Sequence, residues 1–313
     1  MNRIKRLFKG IIREFLADNC FQMAAALAYY TIFSLPALLV IALMVASAVY
    51  GEQAARGEID DQVRAYIGQE AAAQVQAMIK SARLDTAGFS IASVIGLAAL
   101  IFGATGAFYQ LQQALNRVWA VQPDGSQGGI WNFVQKRALS LSIVAILGLL
   151  LVASLVAGTM VSAFGDRFSG VMGSGVSQVA LTLLNFGLSF LIIALFFGAI
   201  YKILPDADLA WRDVIAGALG TAALFILGKY LIGLYLARAG VTSSFGAASS
   251  LALLLVWIYY SSLILLLGAE FTQVWSRVYG RPIHPARGAV HVIQAVRPVT
   301  PAEYEAHERG KEA

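Results

Sequence analysis

A chain of 313 residues that is 58% hydrophobic and 13% charged, with mean hydropathy +0.70, lies far from a soluble domain, where about a quarter of residues are charged. These values exclude an ordinary soluble enzyme and leave a polytopic membrane protein. The net charge of +5 does not point to nucleic acid, because the bases sit in short segments beside apolar runs, as the positive-inside rule expects.

Residues 1–18 place Ile4, Leu7, Phe8, Ile11, Ile12, Phe15 and Leu16 at helical spacing, with Arg3, Lys5, Arg6, Lys9 and Arg13 between them. The pattern predicts an amphipathic helix lying in the membrane interface. The first span follows at 24–49, with no Asp, Glu, Lys or Arg between Asn19 and Gly51. At about 1.5 Å per residue it exceeds a hydrocarbon core of roughly 30 Å. Ala46-Ser47-Ala48 imitates a signal-peptidase site, but the apolar run before it is far longer than a cleavable leader needs, so an uncleaved span is expected. The lone cysteine, Cys20, has no intrachain disulfide partner and implies no oxidising compartment.

Charge returns between 51 and 87. There Ile59, Val63, Tyr66, Ile67, Ala71, Val75, Met78 and Ile79 follow one helical face, predicting an outer surface helix over 58–82; its acids Glu58, Asp60, Asp61 and Glu70, with Arg64 and Lys80, make insertion too costly. Five further apolar runs follow, at 86–116, 138–165, 168–201, 214–228 (resuming after Lys229 to 237) and 239–269. The expected fold class is therefore all-α: a polytopic membrane protein with six transmembrane helices plus N-terminal and outer-loop amphipathic surface helices.

Lys plus Arg number 5, 3, 2 and 6 in the N-terminal segment, the 110–137 loop, the 202–212 loop and the tail, against 4, 1 and 1 in the alternate segments 50–87, 165–178 and 237–250. Sixteen against six predicts that both termini are cytoplasmic. After Tyr279 the chain turns polar, with Pro282, Pro285, Pro298 and Pro301. The expected organisation is one membrane domain over 1–280 and a flexible cytoplasmic tail over 281–313.

Four segments carry a resemblance: AAALAYYTIFSLPALL at 24–39, GATGAFYQLQQALNRVW at 103–119, YKILPDADLAWRDVIAGALGTAALFILGKYLIGLYL at 201–236 and SSFGAASSLALLLVWIYYSSLILLLGAEFTQVW at 243–275. Together they resemble the YihY/virulence-factor BrkB family of bacterial inner-membrane proteins, whose members long carried the label ribonuclease BN. The resemblance runs over roughly residues 1–280. It implies a six-helix, multi-pass inner-membrane fold and transport or envelope-related roles, with no mechanism attached.

The polar residues in and beside the spans are the candidates for function. In the first span Tyr29, Tyr30, Thr31 and Ser34 bring hydroxyls, and Pro36 removes a backbone hydrogen bond, so this half is expected to face protein or a cavity. The second span ends in Tyr109, Gln110, Gln112, Gln113, Asn116 and Arg117, an amide-rich stretch that is expensive against lipid. A cavity lined by Tyr29 to Pro36 and by Gln110 and Gln113 is one reading, and helix packing the other. Asn185, Thr31 and Ser34 add interhelical hydrogen bonds in the second case. Lys229 lies about 24 Å along the fifth span, where its stem either snorkels outward or serves a substrate. Glu270, near the cytoplasmic interface, is a structural staple or a site, with Arg117, Arg137, Lys202 or Arg212 as expected partners. Asp206, Asp208 and Asp213 suggest a divalent-metal site, but Asp213 is placed to cap the fifth helix, which is the favoured reading.

Two function classes compete with a third. A transporter or flippase-like protein for a lipid or small solute fits six spans, a kinked polar first helix and Lys229. A non-transporting scaffold for envelope processes fits the outer helix and basic tail. A membrane ribonuclease lacks clustered metal ligands, since His284, His291 and His307 all fall in the tail. With no hydrolase elbow, zinc-protease helix or Walker A loop, no enzyme, catalytic residue, metal or cofactor is expected. Membrane lipids are the expected partners, homo-oligomerisation is open, and no nucleic acid is expected. The topology is checked by reporter fusions: a reporter at Gly125 should read cytoplasmic and one at Ser174 external, and the reverse at either position sinks it.

Overall fold

The computed structural model describes residues 2–51, 64, 72–73, 75–77, 91–124, 174–239, 249–279 and 283–292. Helix α1 (Asn2–Ala17) carries two apolar stripes. Leu7 and Ile11 are buried with Val274, while Phe8, Ile12 and Leu16 are exposed, as are Lys5, Lys9 and Arg13. One stripe thus packs on protein and the other is left for a different apolar medium. Gly10 lets α1 approach closely, since a Cβ there would stand 2.9 Å from Val274 Cγ1. The helix ends at Asn19, whose left-handed φ of 57° turns the chain into the next helix. Asparagine tolerates that conformation better than most residues.

Four long helices follow with a fifth beside them: α2 (Cys20–Tyr50), α3 (Ile91–Val118), α4 (Ser174–Ile203), α5 (Trp211–Ala239) and α6 (Ser249–Val278). Within them, Cys20–Val40, Thr182–Ile203, Trp211–Ile232 and Leu251–Val278 are long and apolar enough to cross a membrane. α3 is itself about 42 Å long. The run at 138–165, expected as the third span, lies outside the described residues, as does most of the stretch 58–82. The described part of the latter is helical, with Ala72 and Val75 buried and Gln76 exposed. Val75 joins the packed cluster of Ala28 and Ile32 on α2 with Leu254 and Ile258 on α6, so this segment seats an apolar face on the bundle itself.

α2 runs antiparallel to α3 and α6, and α5 antiparallel to α6. Cys20 and Met23, opening α2, share a core with Leu115 and Trp119 at the close of α3 and with Leu266 and Ala269 on α6. Between α5 and α6 the fit is reciprocal: Gly217 receives Thr272, Gly268 receives Thr221 together with Tyr201 of α4, and Gly228 receives Tyr260. Small residues are the means of close helix approach in a bundle that gains no hydrophobic driving force from lipid. The threonines satisfy themselves locally, Thr221 Oγ1 donating to the Gly217 carbonyl (2.7 Å) and Thr272 Oγ1 to that of Gly268 (2.8 Å). Tyr201, fully buried, donates to the Leu265 carbonyl at 2.7 Å, and its hydroxyl oxygen lies 3.0 Å from Thr221 Oγ1.

The end of the bundle where α1 docks is laced by strands that an all-α reading misses. β1 (Val121–Pro123) pairs antiparallel with β4 (Ala289–His291), and β2 (Ala207–Asp208) with β3 (His284–Pro285). Residues 284–291, assigned by sequence to a flexible tail, thus tie both inter-helix loops together. Strands of two or three residues leave no readable alternation.

The α5–α6 seam gives a stability test. Gly217→Ala drives its Cβ into the Thr272 hydroxyl, an overpacking expected to cost about 1–3 kcal/mol. Adding Thr272→Ala removes that hydroxyl and should recover part of the loss in melting temperature. Additive losses in the double variant would show that the two positions do not meet.

Candidate functional site

Polar side chains of several elements converge at this strand-laced end. Asn116, buried in the last turns of α3, brackets Asp206 from both sides: its Nδ2 donates to Asp206 Oδ2 at 2.8 Å, and the Asp206 N–H donates to its Oδ1, also at 2.8 Å. Gln112, one turn earlier, donates to Asp206 Oδ1 at 3.4 Å. The amides at the end of α3 thus receive the loop between α4 and α5. Lys202 closes the same loop, donating to Asp208 (3.0 Å) and to the Leu209 carbonyl (2.6 Å) beneath the Trp211 ring. Asp213 is buried in the first turn of α5, after Ala210, whose carbonyl opens the helix. Asp206 and Asp208 are thus engaged in separate contacts of this loop.

One layer inward, Gln273 Nε2 donates to the Val118 carbonyl that ends α3. Among the described residues its Oε1 has no partner, and neither has Nε1 of the adjacent Trp119, although both residues are more than nine-tenths buried. Nearby Glu270 is fully buried, with the Cys20 thiol donating to its Oε1 at 3.5 Å. The bases expected as its partners are engaged elsewhere or exposed. Lys202 is held by Asp208, Arg212 is exposed, Arg117 is exposed and acts on Asp18, and Arg137 lies outside the described residues. At the rim, Glu14 of α1 takes hydrogen bonds from Arg13 (2.8 Å) and from Arg277 of α6 (2.9 Å). Partial burial acts to raise the Glu14 carboxyl, but these two guanidinium groups outweigh it and hold the group below its ordinary range.

The residues singled out in the sequence divide. Asn116, Arg117 and Glu270 gather at this end. Ser34 is buried in the α2–α3 seam, accepting the Ala107 N–H at 3.2 Å where Gly106 lets the helices close. Tyr29 and Tyr30 are 59% and 45% exposed on the flank of α2, with Tyr29 packed on the Phe33 ring. Thr31, Pro36 and Gln110 are half-buried and Gln113 is exposed. Lys229 is half-buried in α5, about 27 Å along that helix from Trp211 and thus remote from Glu270. Asn185 falls in α4, its side chain outside the described residues. Cys20, Asp18, Gln273 and Trp119, which complete the polar end, carry no local mark in the sequence.

The model of the family described as virulence factor BrkB matches residues 11–289, nearly the whole chain. The chain belongs to that family. Relatives carry the name UPF0761 membrane protein: one from Xanthomonas oryzae pv. oryzae (strain PXO99A) is 28% identical over 262 residues, covering 83% of this chain and 58% of the relative. Another, from Alcanivorax borkumensis, is 27% identical over 274 residues, 87% of this chain and 61% of the relative. This BrkB-family chain therefore spans about three-fifths of the length of those relatives. No solved structure matches it. Family, relatives and apolar helices agree on an integral membrane protein.

The bracket around Asp206 predicts that Asn116→Leu, which keeps the volume but orphans a carboxylate oxygen and a backbone N–H, lowers stability by about 2–4 kcal/mol. A melting temperature unchanged from wild type would remove the bracket from the account.

Proposed function

We propose that this BrkB-family protein is a six-span protein of the bacterial inner membrane, with both termini cytoplasmic, and that it moves a lipid or small solute rather than catalysing a reaction. Connectivity supports the span count. Asp124 lies at the α1 end of the bundle and Ser174, a helix length from the α4 terminus that shares that end, at the other. A further span between them would join the two, and the uncharged run 138–165 is suited to it by composition. Cytoplasmic placement of the α1 end rests on the basic residues collected there.

The observation that carries transport is the pair of unpartnered atoms flanking the end of α3. Trp119 Nε1 is a donor and Gln273 Oε1 an acceptor, both deep in protein, and each orphan costs about 1–3 kcal/mol. A polar guest or its water passing this point would use both. A scaffold role is favoured instead by the strands and the Asp206 bracket, which fasten this end.

Flux and stability measured on the same proteoliposome preparations separate the readings. Trp119→Phe removes the orphaned donor while keeping most of the ring. The transport reading expects a several-fold loss of flux, of fluorescent phospholipid or of an encapsulated small solute, at nearly unchanged melting temperature. Flux of neither probe above protein-free vesicles would sink the reading and leave the scaffold.

A further inference from the structure

The mechanism above does not use the most costly group in the bundle. Glu270 is completely buried in α6, about 28 Å along from Leu251. Its Oε1 accepts a weak S–H donor, and among the described residues its Oε2 receives no hydrogen-bond donor and no base forms an ion pair with it. What faces it is a second carboxyl. Asp18, in the turn between α1 and α2, stands two residues before Cys20, whose thiol touches Glu270, and the two carboxyls act on one another there. Two ionised carboxylates present only acceptors to each other, and their contact becomes a bond only when one of them holds a proton. A single proton supplies the missing donor and halves the charge in a desolvated place.

We propose that Asp18 and Glu270 form a proton-binding site, one proton shared between two carboxyls, at the junction of α1, α2 and α6. The surroundings fit a site that retains its proton. From α1, Glu14 adds negative charge, and the guanidinium groups of Arg13 and Arg277 are spent on Glu14 itself. From α2, Cys20 supplies a neutral thiol. From α3, Arg117 acts on Asp18 from an exposed position. From α5, the helix surface against α6 is Gly217 and Thr221, with the carboxyl of Asp213 one turn before. Burial pushes the Asp18 carboxyl above its ordinary range, outweighing Arg117 and Arg277. The inference stands whether or not a solute is carried.

The sign of the pH dependence follows from linkage. Carboxyls that hold a proton more firmly in the folded than in the unfolded chain stabilise at low pH, and that stability is lost as pH rises from the ordinary carboxylate range through the raised one. Glu14, with its depressed carboxyl, acts oppositely and only at the acid end. Cys20 is the only cysteine in the chain and is buried beside the pair, so its alkylation reports local opening there.

The test uses the full chain in lipid nanodiscs between about pH 5 and pH 9. It measures melting temperature and the rate of Cys20 alkylation by N-ethylmaleimide, relative to the denatured chain at each pH. Wild type should lose melting temperature as pH rises, and Cys20 protection should fall by up to about tenfold per pH unit, the limit for one linked proton. Glu270→Gln and Asp18→Asn each replace the proton with a fixed N–H donor. Both should abolish the slope and hold the low-pH values across the range. Asp18→Asn, half-buried in a turn, decides the matter if Glu270→Gln does not fold. A flat wild-type profile, or slopes in Asp18→Asn equal to those of wild type, would overturn the proposal.

Discussion

Inside a bilayer a polar group has no water to fall back on, so every hydroxyl, amide and carbonyl brought into the bundle has to be answered by protein. Most of this architecture reads as the working out of that constraint. Thr221 and Thr272 turn their hydroxyls back on carbonyls of their own helices, and it is these already satisfied hydroxyls that sit in the notches at Gly268 and Gly217. The Tyr201 hydroxyl is answered by a carbonyl of α6 and lies beside a hydroxyl of α5, so one side chain of α4 meets both neighbours. Close packing and polar satisfaction are thus achieved by the same residues, and neither is available without the other.

The two ends of the bundle are built on different terms. Where α1 docks, loops and helix termini are joined by the Asp206 bracket, the Lys202 contacts, the Glu14–Arg277 pair and two small sheets. These contacts join segments far apart in the chain, since β1 pairs with β4 and Glu14 with Arg277. Such closure makes this end a fixed frame. Any rearrangement that accompanies function is then constrained to helix segments beyond the frame, or to local release at the few positions where the frame itself is under-satisfied.

Much of the fold is written in periodic signals that survive without tertiary knowledge. Long uncharged runs mark α2, α4, α5 and α6, and the alternation of bases with Leu7, Ile11 and Phe15 marks α1. The end of α3 was equally legible as a place that needs polar partners, because Gln112 and Asn116 are costly against lipid; the partner, Asp206, sits 90 residues away. Glu270 shows where legibility stops. Charge complementarity nominated bases for it, of which Arg137 lies outside the described residues, whereas the described neighbours are the thiol of Cys20, 250 residues distant, and a second carboxyl. Nothing local foretells a like-charged neighbour, since a sequence argument assumes that buried charges seek opposites. Tyr29 and Tyr30 illustrate a different ambiguity: a hydroxyl suggests an inward face, but an aromatic body with a polar tip is also at ease on a lipid-facing flank, where the structure exposes both.

The under-satisfied atoms are not scattered at random over this frame. Among the described residues three of the four such atoms, Trp119 Nε1, Gln273 Oε1 and Glu270 Oε2, belong to the close of α3 and the adjoining part of α6, while the fourth, Ser261 Oγ, lies further back along α6. Had the bundle been selected for rigidity alone, an apolar residue at 119 or 270 would remove the orphan and leave the surrounding helices in place, because replacing an unpaired buried polar group by an apolar one of similar shape is near neutral or favourable. On the transport reading proposed above, polar guests would complete the hydrogen bonding that the protein leaves open at these atoms.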